Sequence, residues 1–189
     1  MLAGKGFNNV INMAGGIKSW NSNQAVGPED TGLHLFSGTE NLEEVLIVAY
    51  SLGKGLQDFY VSMSDQVSGT AVRELFGRLA QIEIKHQERI YSEYQKASMT
   101  DKSLEEFERH LLANSMEGGL TTEQYLELYK PDLEDTTEVV SLAMAIEAQA
   151  LDLYQRTADR APSEDIQQAL LRLADEERAH LKQLGGLLN

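Results

Sequence analysis

Two stretches of nine residues decide the fold: RLAQIEIKH at residues 78–86 and RLADEERAH at residues 172–180. They belong to a longer internal repeat, in which residues 42–90 match residues 136–184 at a constant offset of 94 without a gap. Eleven of the 49 aligned positions are identical, including both glutamates and both histidines that the two stretches share. A repeat of this kind indicates that one supersecondary unit occurs twice in the chain.

Each repeat unit has the pattern of two helices. Apolar residues recur at intervals of three and four, which predicts helices with one core-facing stripe. The four predicted helices cover about residues 42–64, 70–96, 136–160 and 163–184. Thr39 and Thr136 are the predicted N-caps of the first helix in each unit. Two helix pairs related by a repeat predict an all-α four-helix bundle.

The segment between the two units, from Ala97 to Asp135, is too long for a tight turn. A bundle needs a long crossover of this kind when its second and third helices run parallel. Apolar spacing predicts two short helices inside it, one around residues 104–112 and one over residues 121–129. We therefore expect a helix-containing crossover between helices 2 and 3.

Composition limits the chemistry and the partners of the 189-residue chain. It has 16 lysines and arginines against 30 aspartates and glutamates, a formal net charge of −14 that argues against nucleic acid or an anionic membrane as partner. There is no cysteine, which excludes disulfides, thiolate catalysis and iron–sulfur clusters. No apolar run approaches the roughly 20 residues of a membrane span. We expect a soluble, cytoplasmic protein whose metal ligands are oxygen and nitrogen atoms.

Five residues form a candidate metal site. Glu83 and His86 are three residues apart, as are Glu177 and His180, so each pair projects from one face of its helix. Di-iron carboxylate bundles use a Glu-x-x-His motif on each of two helices and a single glutamate on each of the other two. Glu147 lies in the apolar stripe of the third helix, where a carboxylate is costly unless it is paired or metal-bound. The competing interpretation is that both motifs face solvent and that Glu147 is salt-bridged to an arginine, Arg156 or Arg178.

The repeat also predicts a defect, because the residue equivalent to Glu147 in the first unit is Gly53. Four glutamates would neutralise two divalent ions, whereas three leave one positive charge uncompensated. We therefore expect a well-held ion beside His180 and a weaker one beside His86. Replacement of Gly53 by glutamate is expected to raise the metal stoichiometry.

Three tyrosines are candidates for a supporting role near the ligands. Tyr60 and Tyr154 are repeat equivalents, and each lies seven residues beyond the inward position of its helix. Their hydroxyls could hydrogen-bond ligand carboxylates, although both also fit as core aromatics. Tyr50 lies one turn before Gly53 and Gln57 one turn after, and either could substitute for the missing ligand, although water or a small anion is favoured there.

These motifs resemble the rubrerythrin-like branch of the ferritin-like superfamily over roughly residues 38–188. The resemblance implies a four-helix bundle with a non-haem di-iron centre that reduces peroxide or dioxygen or oxidises ferrous iron. It implies that Glu83 and Glu177 bridge two metals, that His86 and His180 each bind one, and that Glu147 is a terminal ligand. The implied cofactor is iron, as one or two ions, with zinc and manganese as alternatives.

Two departures from this family matter. Gly53 stands at the ligand position of the first helix, and without cysteine the chain has no rubredoxin centre. An external electron donor is therefore expected. A homodimer is the expected oligomer.

The N-terminal stretch has a different resemblance. Residues 6–20 are similar to the closing strand and helix of a rhodanese-like domain. This implies a short strand-turn-helix remnant at residues 1–24, a linker at residues 25–38 and the ferritin-like bundle at residues 39–189. Sulfur transfer is excluded because it needs a catalytic cysteine, which this chain lacks.

Three functions remain open from the sequence. The leading hypothesis is a metal-binding oxidoreductase that acts on peroxide or dioxygen. The alternative is a non-catalytic helical module that dimerises or docks to a sulfurtransferase partner and carries a degenerate site, an interpretation that rests on Gly53. A mononuclear zinc site on the same ligands is the third.

Overall fold

The computed structural model describes residues 31–98, 103–111 and 116–188, and this part of the chain is all-helical. Short 3-10 turns cover Leu33–Leu35 and Glu117–Gly119, and no strand occurs in the described ranges. The α-helices are α1 (Leu42–Gln66), α2 (Thr70–Ser98), α3 (Leu104–Glu108), α4 (Thr122–Tyr129), α5 (Thr136–Ala158) and α6 (Glu164–Gly186). The all-α prediction is confirmed. The predicted rhodanese-like remnant lies outside the described residues.

The helix starts differ from the prediction at two caps. Asn41, not Thr39, caps α1: its side chain accepts a hydrogen bond from the Glu44 backbone N–H, and the Glu44 side chain accepts one from the Asn41 backbone N–H. This reciprocal capping box satisfies two backbone donors at once. Asp135, not Thr136, caps α5 through its carboxylate. A side-chain acceptor placed immediately before the first helical residue is what the geometry of a cap requires.

The connector contains the two predicted short helices, α3 and α4. Each begins with a capping box, on Ser103 and Thr121 respectively. The second ends at Lys130, which adopts a left-handed conformation with φ 44° directly before Pro131. Between them the Glu117–Gly119 turn packs against α5 and α1.

The four long helices pack as pairs, α1 with α2 and α5 with α6, and the pairs meet through α1–α6 and α2–α5 contacts. Their interior consists of two apolar clusters. Each long helix passes from one cluster to the other, and its polar residues lie at the crossing point. The flanking apolar residues are Leu52 and Leu56 on α1, Ala80 and Ile90 on α2, Ile146 and Ala150 on α5, and Ala174 and Leu184 on α6.

Each apolar cluster therefore ends at the same level of all four long helices. The layer between the clusters, which we call the polar layer, contains Gly53, Glu83, His86, Glu147, Glu177 and His180. None of the described helices combines the length and the hydropathy that a membrane span requires.

Candidate metal centre

Six ionisable side chains converge in the polar layer, although each is almost completely buried. All five residues predicted from the sequence are there, and a sixth, Glu117, joins them from the connector. The exposed fractions are 1% for Glu83, His86 and Glu117, 3% for Glu147, 0% for Glu177 and 7% for His180. The expectation that the Glu-x-x-His motifs face inward agrees with this placement, and the solvent-facing alternative does not.

One group of ligand atoms gathers around His86. Its Nδ1 atom lies 3.8 Å from Glu83 Oε2 and 3.6 Å from Glu117 Oε1. One ligand atom from each of these three residues lies within 4.8 Å of the others, a spacing that a single metal ion can bridge. Glu177 Oε1 is also near, at 3.6 Å from His86 Nε2.

A second group gathers around His180. Its Nδ1 atom lies 3.1 Å from Glu177 Oε2 and 3.4 Å from Glu147 Oε2. Ligand atoms of Glu83, Glu147 and His180 lie within 4.8 Å of one another, so Glu83 takes part in both groups. The two imidazole rings are 5.3 Å apart between centroids. Each of the six side chains belongs to two of the four three-residue groups whose ligand atoms lie within 4.8 Å of one another, so the cluster could hold a metal ion.

Glu117 reaches the centre because its turn is pressed against α5. Gly118 and Gly119 have positive φ values of 75° and 83°, which residues with a side chain rarely adopt. A Cβ atom on Gly118 would lie 2.4 Å from both Gln149 Cβ and Tyr125 Oη. The Tyr125 hydroxyl donates a hydrogen bond of 2.6 Å to the Glu117 carbonyl oxygen. Only glycine permits this close approach.

Glu117 is not among the residues predicted from the sequence, which account for three of the four carboxylates in the cluster. The repeat could not reveal it, because Glu117 lies between the two units and has no equivalent in either. The available signal was local: a glutamate directly before two glycines, enclosed by the apolar residues Met116 and Leu120. Such a glutamate is buried with its turn, and a buried carboxylate needs a partner.

Several polar atoms of the centre have no hydrogen-bond partner among the described residues, although they are buried. They include both carboxylate oxygens of Glu117, Glu83 Oε2, Glu177 Oε1 and both ring nitrogens of His86. Buried polar atoms are normally satisfied, and a cluster of unsatisfied acceptors is strongly unfavourable unless a cation is present. The donor set of oxygen and nitrogen atoms thus fits a metal ion.

The ionisation of the four glutamates reflects the crowding of negative charge. Burial raises the pKa of Glu83, and it raises those of Glu117 and Glu177 well above the usual value. Burial acts in the same direction on Glu147, but the nearby His180 outweighs it and lowers the pKa of that carboxyl. Without metal, some of the glutamates therefore keep a proton.

The two histidines respond in the opposite sense. Burial disfavours the charged imidazole of His86, but the surrounding carboxylates, with Glu177 the largest contributor, together outweigh it and raise the pKa of His86 well above its usual value. Burial is likewise outweighed at His180, where Glu147 raises the pKa to about 9. In the metal-free protein, the raised pKa values favour protonated imidazoles, whose positive charges offset those of the nearby carboxylates.

The candidate tyrosines differ in how their hydroxyls are engaged, and Tyr60 and Tyr154 fit the expectation of core aromatics. Tyr60 and Tyr154 are fully buried, and neither hydroxyl has a hydrogen-bond partner among the described residues, so the expected bonds to carboxylates are not formed. The Tyr50 hydroxyl donates to Glu108 Oε1 at 3.1 Å. Tyr50 is thereby engaged with α3 and does not act as the substitute ligand at Gly53.

The outer side of the centre carries an ion pair and an open groove. Glu176 Oε2 lies 3.0 Å from His86 Nε2 and 2.6 Å from Arg89 Nη2. The groove is lined by Arg89, Arg172 and Glu176 and reaches His180. The arginines proposed as partners of Glu147 are paired elsewhere, Arg156 with Asp152 and Arg178 with Asp175.

No family model, curated protein or solved structure matches the chain.

Proposed function

We propose that this chain is a ferritin-like four-helix protein that binds two metal ions, preferentially iron, and acts as an oxidoreductase on peroxide or dioxygen. The observation that carries the proposal is the cluster of four carboxylates and two imidazoles in the polar layer. Its members are almost fully buried, and several of their ligand atoms lack any other partner.

Charge supports two ions rather than one. Four ionised glutamates carry four negative charges and two neutral histidines carry none, so two divalent cations bring the buried layer to neutrality. Carboxylate and imidazole ligands suit iron, manganese and zinc. The combination of Glu-x-x-His motifs on two helices with further glutamates is the di-iron carboxylate pattern, which favours iron among these metals.

The residues of the chain have distinct tasks in such a site. Bound iron would supply the electrons for reduction of the oxidant and an open coordination position to receive it. Glu83 and Glu177 lie between the two groups of ligands and are suited to bridge them. The groove that reaches His180 provides a route for a small oxidant, while the two apolar clusters exclude water from above and below.

The alternative function, a docking module with a degenerate site, depended on the absence of a fourth carboxylate at Gly53. The presence of Glu117 in the cluster gives it four carboxylates and weakens that argument. The proposal includes an external electron donor, since the chain has no cysteine for a second redox centre, and a homodimer.

The test is anaerobic titration with ferrous iron, followed by exposure to peroxide. We expect two ions per chain, a higher melting temperature than in chelator, and charge-transfer absorbance that appears on oxidation. Replacement of both Glu83 and Glu177 by glutamine should abolish all three. Protein that binds iron but stays colourless and does not consume peroxide would contradict the redox function and leave metal binding intact.

A further inference from the structure

We infer that Glu117, supplied by the connector, is the terminal metal ligand that the first repeat unit lacks at Gly53. The inference rests on the proposed function, because it assigns a ligand within that same centre. This assignment adds the connector to the metal site. It also accounts for the glycine at residue 53.

The Glu117 carboxylate lies directly beside Gly53. A Cβ atom built on Gly53 would lie 3.4 Å from Glu117 Oε1 and 3.7 Å from Glu83 Oε2. The Glu117 carboxylate therefore occupies the space into which a side chain at residue 53 would project. The absence of a side chain at Gly53 leaves room for it.

The two histidines each have a carboxylate at a similar distance. Glu147 Oε2 lies 3.4 Å from His180 Nδ1, and Glu117 Oε1 lies 3.6 Å from His86 Nδ1. Glu147 comes from the α5 position that is equivalent to Gly53, whereas Glu117 comes from outside the repeat. The two carboxylates thus lie at similar distances from their histidines, although they do not occupy equivalent positions in the repeat.

The burial of the Glu117 carboxylate also supports the assignment. It is 1% exposed, and neither of its oxygens has a hydrogen-bond partner among the described residues. The turn that carries it is fixed by Gly118 and by the bond from Tyr125 to the Glu117 carbonyl oxygen, so the side chain is held against the centre. Among the described residues its one ion-pair partner is His86, whose Nδ1 atom lies 3.6 Å from Glu117 Oε1, and a metal ion between the two would give the carboxylate oxygens the partner that no hydrogen bond provides.

The experiment counts ferrous ions bound per chain under anaerobic conditions in wild type, Glu117→Gln and Glu127→Gln. The last is a matched control, because Glu127 is an exposed glutamate of the same connector. We expect two ions in wild type and in the control. In Glu117→Gln we expect one ion at the same iron concentration, with the affinity for the second weakened about tenfold or more.

A swap separates ligand loss from misfolding. In the Glu117→Ala background, Gly53→Glu should restore the second ion, because it returns a carboxylate to the same space from α1. In the unchanged chain, Gly53→Glu should add no ion, since Glu117 already fills that space; this replaces the expectation from the sequence alone. Circular dichroism in chelator should show equal helix content in all variants.

The outcomes distinguish the two proposals. Glu117→Gln protein that binds as many ions as wild type, with unchanged affinity, would overturn this inference and leave the proposed function standing. Failure of Gly53→Glu to restore the ion lost in Glu117→Ala would also overturn it. Wild-type protein that binds no iron would overturn the proposed function itself.

Discussion

The two repeat units build equivalent halves of one centre by different routes. The second unit contributes all three of its donors from its own helices, with Glu147 on α5 and Glu177 and His180 on α6. The first unit contributes Glu83 and His86 from α2, and the remaining carboxylate comes from the connector. Under our inference, a carboxylate beside each histidine comes from a helix of the repeat in one half and from the connector in the other.

The largest effect is expected from a substitution that displaces the turn carrying Glu117. Gly118→Ala introduces a Cβ atom that would lie 2.4 Å from Gln149 Cβ, at a residue whose φ is 75°. Strain and overpacking together should lower the free energy of unfolding in chelator by about 3 kcal/mol and displace Glu117 from the centre. Urea denaturation and iron stoichiometry are the measurements.

A matched control for Gly118→Ala is Gly38→Ala, because Gly38 also has a positive φ, of 83°, but nothing lies within 4 Å of its added Cβ atom. It should lose only the backbone contribution of about 1 kcal/mol and bind both ions. Equal destabilisation in the two variants, with both ions retained, would contradict the close docking of the turn on α5.

The next comparison sets Glu147→Gln against Glu117→Gln. Each removes a carboxylate beside one histidine, so each should lose one ion, but a different one. Cobalt-loaded protein provides the measurement, because proton signals shifted by the metal identify which imidazole is bound. Glu147→Gln should lose the shifted signals of His180 and keep those of His86, and Glu117→Gln should do the reverse. Loss of the same signals in both variants would refute the separate assignment.

The pH dependence of metal stabilisation tests whether protons and metal ions compete for His180. The pKa of His180 is raised from 6.5 to about 9, so its charged form stabilises the metal-free fold fully below pH 6.5, and that contribution is lost as the pH rises through about 9. Metal binding needs the neutral imidazole and competes with this proton. The melting temperature in manganese minus that in chelator should therefore increase between about pH 6.5 and about pH 8.5.

Two variants control this pH experiment. His180→Gln should flatten the dependence, while His34→Gln should leave it unchanged because His34 is exposed. A difference in melting temperature that does not change with pH in wild type would contradict the exchange of protons for metal.

The smallest effects concern the tyrosines. Tyr125→Phe removes the hydrogen bond to the Glu117 carbonyl oxygen and should cost about 1 kcal/mol of unfolding free energy. Tyr154→Phe removes a buried hydroxyl that has no hydrogen-bond partner among the described residues, so it should leave the free energy of unfolding unchanged or raise it. Thermal unfolding in chelator measures both. A loss in Tyr154→Phe would show that its hydroxyl is engaged after all.

The sequence predicted those parts of the structure that periodicity encodes. The four long helices, the short helices of the connector and five buried ligands follow from apolar spacing and from the repeat. Thr39 and Asn41 are both good capping residues, so residue type does not distinguish them, and the backbone geometry places the cap on Asn41. Helix periodicity fixes which face a residue occupies, so the inward placement of Glu83, Glu147 and Glu177 could be read from spacing alone.

Glu117 and Tyr50 could not be predicted in the same way. The position of Glu117 depends on how a connector folds back on α5 and α1, which no periodic pattern describes. Tyr50 is buried as its spacing suggests, but its hydroxyl bonds to Glu108 of α3, a contact between distant parts of the chain. Long-range docking of connector segments decided both outcomes.

The most direct test of the account is a crystal structure of iron-loaded protein with anomalous diffraction at the iron edge. We expect two peaks in the polar layer. One should lie at a ligand distance of roughly 2.0–2.2 Å from Glu117 and His86, and the other at the same distance from Glu147 and His180. Glu83 and Glu177 should lie between the two peaks. An absence of peaks, or a second peak whose ligands do not include Glu117, would contradict it.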